Sequence, residues 1–327
     1  MTLSLQAYMQ KFAHLGVNRN RKTWTAVTTY RAPHKPLLLL SVLDLFEQGS
    51  IPANLIELTP ELGELFALYW HRVRPPSQRG MLTYPFYYLQ SEGFWHLLPR
   101  PGQESALTVY RPNAGLAALQ SLILGASLDD DLYTLLCSPE PRHLLRTVLV
   151  QSYFAPELHA ILLEQSTVNT ESYQYSQELL AKARNVIKES NQETEMLPGR
   201  VRDQGFRRAI VRAYDHRCAI CGVRILTADG HTAVAAAHII PWSISHDDDP
   251  RNGLALCHLC HWTFDEGLVT FTDAYQVKTS PQLATTPNLP GHLLTFTGRK
   301  LVGPDDSALW PFTASIRWHR GEVFRTR

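Results

Sequence analysis

Apolar residues recur at helical spacing over residues 5–15 and again, after a polar gap, over 36–48. Pro36 stands where a first helical turn tolerates proline, and Gly49 marks the stop. Thr59-Pro60-Glu61-Leu62 offers a cap and a start for a third helix reaching Trp70. The pattern then changes. Two aromatic runs, Tyr84-Pro85-Phe86-Tyr87-Tyr88-Leu89 and Phe94-Trp95-His96-Leu97-Leu98, flank Ser91-Glu92-Gly93 and predict a β-hairpin. Helical spacing returns over 114–124, 130–136, 141–154 and 156–163.

From about 164 to 198 the chain turns polar, and only 179–187 keeps a helical stripe. This predicts a first domain over 1–165, a linker with one helix over 166–198, and a second domain over 199–327 with strand-like pieces at 276–279 and 293–297. The expected fold class is α+β, and 327 residues suffice for two cores. At 44% hydrophobic and 19% charged the composition is globular, with no internal repeat. The longest apolar run, 36–46, is short and broken by Asp44, so no membrane partner is expected. Met1-Thr2-Leu3-Ser4-Leu5 lacks the features of a secretory signal, so a cytoplasmic location with reduced thiols is expected.

Reduced cysteines change the picture, because four of the five lie within 218–260. Cys218-Ala-Ile-Cys221 and Cys257-His-Leu-Cys260 are two Cys-x-x-Cys knuckles separated by 35 residues. Four thiolates at this spacing make a closed tetrahedral zinc site, structural because it leaves no position for substrate. Net charge is only +1, yet no acidic residue precedes Asp44, and seven arginines between 200 and 224 face two aspartates. Two basic stretches on a near-neutral chain suit phosphate contact at two places.

Between the knuckles the chain carries Ala237-His238-Ile239-Ile240-Pro241-Trp242 and Asp249-Pro250-Arg251-Asn252-Gly253-Leu254, and then Cys260-His261-Trp262-Thr263-Phe264-Asp265. In order this is His, Asn, His, and it resembles the HNH nuclease family over about 206–268. The resemblance implies two short strands and a helix gripping one divalent cation, such as Mg2+ or Mn2+. Phosphodiester hydrolysis needs a base for water and a cation on the phosphate oxygens. His238, at the end of the apolar strand 234–240, suits the base. Asn252 suits a backbone clamp that holds His238. His261, beside a zinc ligand, suits the catalytic metal, with Asp265 four residues on along the same helix face. Many members carry an acidic residue or a second histidine before the base as a metal ligand. This chain has Ala237, which leaves His261 with Asp265 or water to hold the ion. For Trp318-His319-Arg320, packing at a strand end is expected.

Target choice then falls to the first domain. Tyr30-Arg31-Ala32-Pro33-His34-Lys35-Pro36, with Thr83-Tyr84-Pro85-Phe86-Tyr87-Tyr88, resembles the sulfur-binding domain fused to HNH nucleases that cut phosphorothioate-modified DNA. This resemblance covers about 5–160. Sulfur is larger, softer and less hydrated than oxygen, so an apolar seat favours it. By the resemblance, Pro85 presents that seat, Tyr84 and Tyr88 wall it, and His34 and Lys35 hold the remaining charge. Arg19, Arg21, Lys22, Arg31 and Arg79 are candidates for backbone contacts.

The expected protein is a modification-dependent restriction endonuclease that binds phosphorothioated double-stranded DNA and cuts nearby. A single active site cutting both strands implies a homodimer. Two alternatives stay open: an HNH nuclease reading a methylated base or plain sequence, and a non-catalytic zinc-containing DNA-binding protein.

Overall fold

The computed structural model describes residues 4–73, 80–184, 197–227, 230–285 and 291–326. The chain divides into two compact units, Met1–Thr170 with Thr227–His231, and Glu171–Leu226 with Thr232–Arg327.

The first unit is mainly helical. Helix α1 (Leu5–Ala13) starts at Ser4, whose hydroxyl accepts the Ala7 N–H. Helix α2 (His34–Glu47) begins two residues before Pro36, which therefore occupies the first turn, where its missing N–H costs nothing. Almost the whole of α2 is buried, so it lacks a polar face and forms the centre of the core. The Asp44 that interrupts its apolar run is fully buried. It accepts from Arg146 at 3.1 Å, Ser166 at 2.6 Å, and Asn169 and Tyr69 at 2.8 Å each. Burial raises the Asp44 pKa, opposed by the Arg146 guanidinium and the three neutral donors.

Helix α3 (Pro60–Val73) begins as expected, with Thr59 Oγ1 accepting the Leu62 N–H at 3.2 Å. The predicted hairpin does not form. Residues Thr83–Tyr88 are helix α4 instead. Pro85, its third residue, needs no intrahelical donor there. The helix turns Pro85 and Phe86 inward and leaves Tyr84 and Tyr88, four residues apart, on its outer side. Strand β1 (Trp95–Pro99) is followed by α5 (Glu104–Val109), α6 (Leu116–Leu122) and β2 (Ile123–Leu128). β1 pairs with β2, antiparallel from Trp95↔Leu128 to Pro99↔Ile123, rather than with the aromatic run just before it. Helices α7 (Asp130–Leu136) and α8 (Pro139–Tyr153) close the layer.

Helix α9 (Pro156–Ala183) corrects the linker reading, since the polar stretch from 164 to 183 is continuous helix and the two units divide within it, after Thr170. Its polar residues are not solvated spacer. Gln165, Ser166, Asn169, Ser172 and Ser176 are buried.

The second unit opens with α10 (Gly199–Ala213), followed by β3 (Val234–His238), α11 (Trp242–Ser245), β4 (Gly253–Cys257) and α12 (His258–Asp265). β3 and β4 pair antiparallel from Val234↔Cys257 to His238↔Gly253, and α12 starts at the residue after β4. Gly253 permits close packing: a Cβ there would lie 2.4 Å from Ile210 Cδ1 and 2.9 Å from Phe206 Cζ. Beyond lie β5 (Val269–Phe271), β6 (Val277–Thr279), α13 (Gln282–Thr285), α14 (Gly291–Leu294) and α15 (Thr313–Glu322). Of the two expected strand-like pieces, the one at 276–279 supplies β6, paired with β5. The other, 293–297, is the end of α14 and a turn closed by Phe296 N–H to Leu293 O and Thr297 N–H to Leu294 O. Trp318-His319-Arg320 lies in α15, not at a strand end. His319 is buried there, stacked at 3.7 Å on Phe264 and bonded to the Phe264 carbonyl and Thr270.

Candidate metal centre, active site and binding pocket

The four knuckle cysteines converge. Their Sγ atoms all lie within 4.8 Å of one another, with Cys218 and Cys260 buried. Cys221 and Cys257 Sγ are 3.8 Å apart. Tetrahedral thiolate coordination with bonds of about 2.3 Å sets its sulfurs about 3.8 Å apart, so the donor set fits such an ion. Hydrogen bonds within the cluster pull the Cys218 and Cys257 thiols down and push those of Cys221 and Cys260 up, as thiols sharing protons at close range do. The knuckles sit in different surroundings. Cys218 and Cys221 lie in the turn after α10, while Cys257 ends β4 and Cys260 lies in the first turn of α12. An ion there ties the hairpin, the helix and the preceding turn together.

His238 ends β3, and its ring lies flat on Phe206, with centroids 3.8 Å apart and planes within 7°. Its Nε2 meets Asp248 Oδ1 at 2.8 Å. Asn252 is 1% exposed and bridges the loop: Oδ1 accepts Ile240 N–H at 3.0 Å, while Nδ2 donates to Ile240 O at 3.0 Å and Asp247 O at 3.2 Å. The backbone adds Ile239 N–H to Asn252 O at 2.8 Å. The loop after His238 is thereby closed on the start of β4. On α12, His261 Nε2 stands 3.4 Å from Asp265 Oδ2. Both side chains are partly open, at 30% and 58% exposure, so the pair can meet an ion from solvent. Ala237 is buried and offers no ligand atom.

Much of the arginine-rich lead-in has specific work within the unit. Arg202 lies 3.7 Å over Trp242 and 3.6 Å from Asp248, Arg208 lies over Tyr173, and Arg224 pairs with Asp215. Asp248, Phe206, Tyr175 and Arg202 cluster around His238, and none of them stands out in the sequence as a site residue. Asp248 sits in a run of three aspartates that reads as solvated turn, and Tyr175 in a stretch that reads as linker.

In the first unit a cavity of about 740 Å³ is lined by His34, Lys35, Tyr84, Pro85 and Tyr88, together with Val17, Trp24, Ala32, Met81 and Ser91 among others. Its walls are largely apolar. Tyr84 and Tyr88 stack at 6.5 Å, and His34 stands between Trp24 at 5.5 Å and Trp70 at 4.7 Å. Among the described residues the buried Trp24 indole N–H has no hydrogen-bond partner. Lys35 is not a free cation. Its ammonium pairs with Glu92 and donates to Ser91 Oγ at 3.1 Å. Arg19, Arg21, Lys22 and Arg31 do not line the cavity. Arg21 lies over Tyr30, and Arg31 lies over Tyr153 and donates to Ser152 O. Arg79 lies outside the described residues.

Comparison with known proteins matches both units. A family model described as HNH endonuclease matches 218–272, and one described as "ScoMcrA-like, DNA sulfur-binding domain" matches 7–170. The chain thus joins a segment similar to HNH endonucleases to one similar to a DNA sulfur-binding domain. It belongs to the ScoMcrA-like DNA sulfur-binding domain family, whose model spans just over half of its 327 residues. Among solved structures, a "Modification dependent TagI restriction endonuclease" aligns at 26% identity with a TM-score of 0.27, over 36% of this chain and 37% of that one. No curated protein matches. Among the described residues, no helix is long and apolar enough to cross a membrane.

Proposed function

We propose that the protein is a modification-dependent restriction endonuclease that binds phosphorothioated double-stranded DNA and hydrolyses a phosphodiester nearby. The observation that carries this reading is the apolar cavity around Pro85, Tyr84 and Tyr88, with His34 and Lys35 on its wall. Sulfur in place of a non-bridging oxygen loses little hydration in such a cavity, whereas a phosphate oxygen loses much. The cavity is far larger than one atom, as seating a stretch of backbone requires. Lys35, held by Glu92 and Ser91, is fixed in place on that wall. Exposed Arg19, Arg21 and Lys22 lie outside the cavity and suit flanking phosphates.

In the second unit the four cysteines hold a structural zinc, and His261 with Asp265 holds one catalytic divalent cation, Mg2+ or Mn2+. That cation, when bound, supplies charge against the phosphate oxygens. His238 takes a proton from water, the oxygen attacks phosphorus, and the leaving oxygen departs as its bond to phosphorus breaks and gains a proton from solvent. Asn252 keeps the loop closed so that the imidazole stays aimed. Cutting both strands with one such site per chain calls for a homodimer, and DNA as substrate for a cytoplasmic setting.

The test is cleavage of one duplex with and without a single phosphorothioate, using the wild type and His238→Ala. Cutting of the modified duplex alone, abolished in His238→Ala while DNA binding persists, is expected. Equal cutting of both duplexes would overturn the sulfur reading, and undiminished cutting by His238→Ala would overturn the base.

A further inference from the structure

The base of a hydrolase must present a lone pair rather than an N–H to water, and in a neutral imidazole only one nitrogen can do so. Which nitrogen is free is decided by what the other one bonds. His238 Nε2 faces Asp248 Oδ1 at 2.8 Å. A carboxylate accepts and does not donate, so Nε2 carries the hydrogen and Nδ1 the lone pair.

We propose that Asp248 is the positioning residue of the nuclease reaction, holding His238 in the Nε2–H tautomer with Nδ1 turned to the attacking water. This rests on His238 being the base. The Asp248 side chain is only 4% exposed, so water does not compete for it. Its second oxygen is also engaged, accepting from Tyr175 OH at 3.0 Å with Arg202 Nε at 3.6 Å. A carboxylate with both oxygens engaged by protein donors is spent as a metal ligand, which separates its role from that of Asp265. The supports are themselves fixed. Arg202 lies on Trp242 at 3.7 Å. Tyr175 packs where α10 has Gly205, at which a Cβ would come within 2.8 Å of Tyr175 Cδ1. Burial and the Asp248 charge hold the Tyr175 phenol well above its ordinary pKa, so it stays a donor. With Phe206 stacked on its face, His238 is held in both plane and rotation. When Nδ1 takes the proton from water, the buried carboxylate already opposes the new positive charge, with no solvent to reorganise.

The experiment uses the full-length protein carrying its metals. In wild-type protein labelled with 15N-histidine, His238, assigned by the signal lost in His238→Gln, should show Nε2 protonated and Nδ1 unprotonated. Asp248→Asn should lower the single-turnover cleavage constant by about 100-fold or more, within the range for general-base contributions, with DNA affinity within about twofold. It should also populate the other tautomer. Tyr175→Phe should cost about three- to tenfold in the same constant, the worth of one hydrogen bond. An Nδ1–H tautomer in the wild type would overturn the proposal. So would wild-type cutting by Asp248→Asn, or a loss explained by weaker DNA binding with the tautomer unchanged. Should Asp248→Asn fail to fold, the wild-type tautomer and Tyr175→Phe decide. If His238→Gln itself cuts normally, it is the base assignment that fails, whatever Asp248 does.

Discussion

Asn252 holds Ile240 twice, its Oδ1 accepting the Ile240 N–H and its Nδ2 donating to the Ile240 carbonyl, each at 3.0 Å. One buried amide thus closes the loop that follows His238. Asn252→Ala leaves these groups unpaired and should destabilise the second unit by about 1–3 kcal/mol and abolish cutting. Asn252→Asp should also fail, because a carboxylate cannot donate to the carbonyls of Ile240 and Asp247. Denaturant titration beside single-turnover cleavage measures both effects. Normal cutting by Asn252→Asp would remove the clamp from the mechanism.

The four-thiol cluster should carry about one tightly held zinc per chain, and Cys218→Ser or a strong chelator should unfold the second unit, since such sites contribute much of a small module's folding free energy. Elemental analysis with circular dichroism is the check. Fully folded protein without zinc would contradict it.

Affinity for both duplexes should fall with salt at the same slope, because the phosphate contacts are common to both, and the sulfur preference should persist as a constant factor at every salt concentration. Tyr84→Ala and Pro85→Ala should bring affinity for modified DNA down to the plain value without changing the salt slope. Arg21→Ala should weaken both duplexes and flatten that slope. Binding titrations on His238→Ala protein, with duplexes differing by one sulfur in either stereochemistry, separate the two effects. Equal affinities throughout would shift the reading to a methylated base or plain sequence.

Burial pulls the His319 pKa down to about 4 in the folded chain, opposed by its bond to the Phe264 carbonyl. The unfolded chain, with a value near 6.5, binds more protons, so stability rises with pH. The second unit should therefore keep its full stability above about pH 6.5, lose about 3 kcal/mol as pH falls towards 4, and lose no more from this group below that. Zinc release under denaturant, compared between the wild type and His319→Gln from pH 7 to 4, reads the difference. Parallel pH dependences would refute it.

Legibility followed the range of the interactions. The helix start at Thr59, the knuckles, and the His, Asn, His order are local in the chain, and each appears in sequence as a few residues at fixed spacing. The aromatic run at 84–89 misled because its alternation with proline fits a strand, while a six-residue helix needs only one buried face, met by Thr83, Pro85 and Phe86. The partner strand for Trp95 lies at Leu128, beyond the reach of any hairpin rule.

By itself the sequence determined the chemistry available: four thiols for an ion, a histidine at a strand end, an asparagine in a turn, and an aromatic-proline run beside a basic segment. Tertiary structure alone decided how those groups are held. Asp248, Tyr175, Arg202 and Phe206 come to His238 from the 247–249 turn, α9 and α10, and Glu92 comes to Lys35 from 57 residues away. Partners distant in sequence meet only when the core closes, because apolar burial drives the packing without regard to the polar side chains it brings together, and those must then pair or stay unsatisfied.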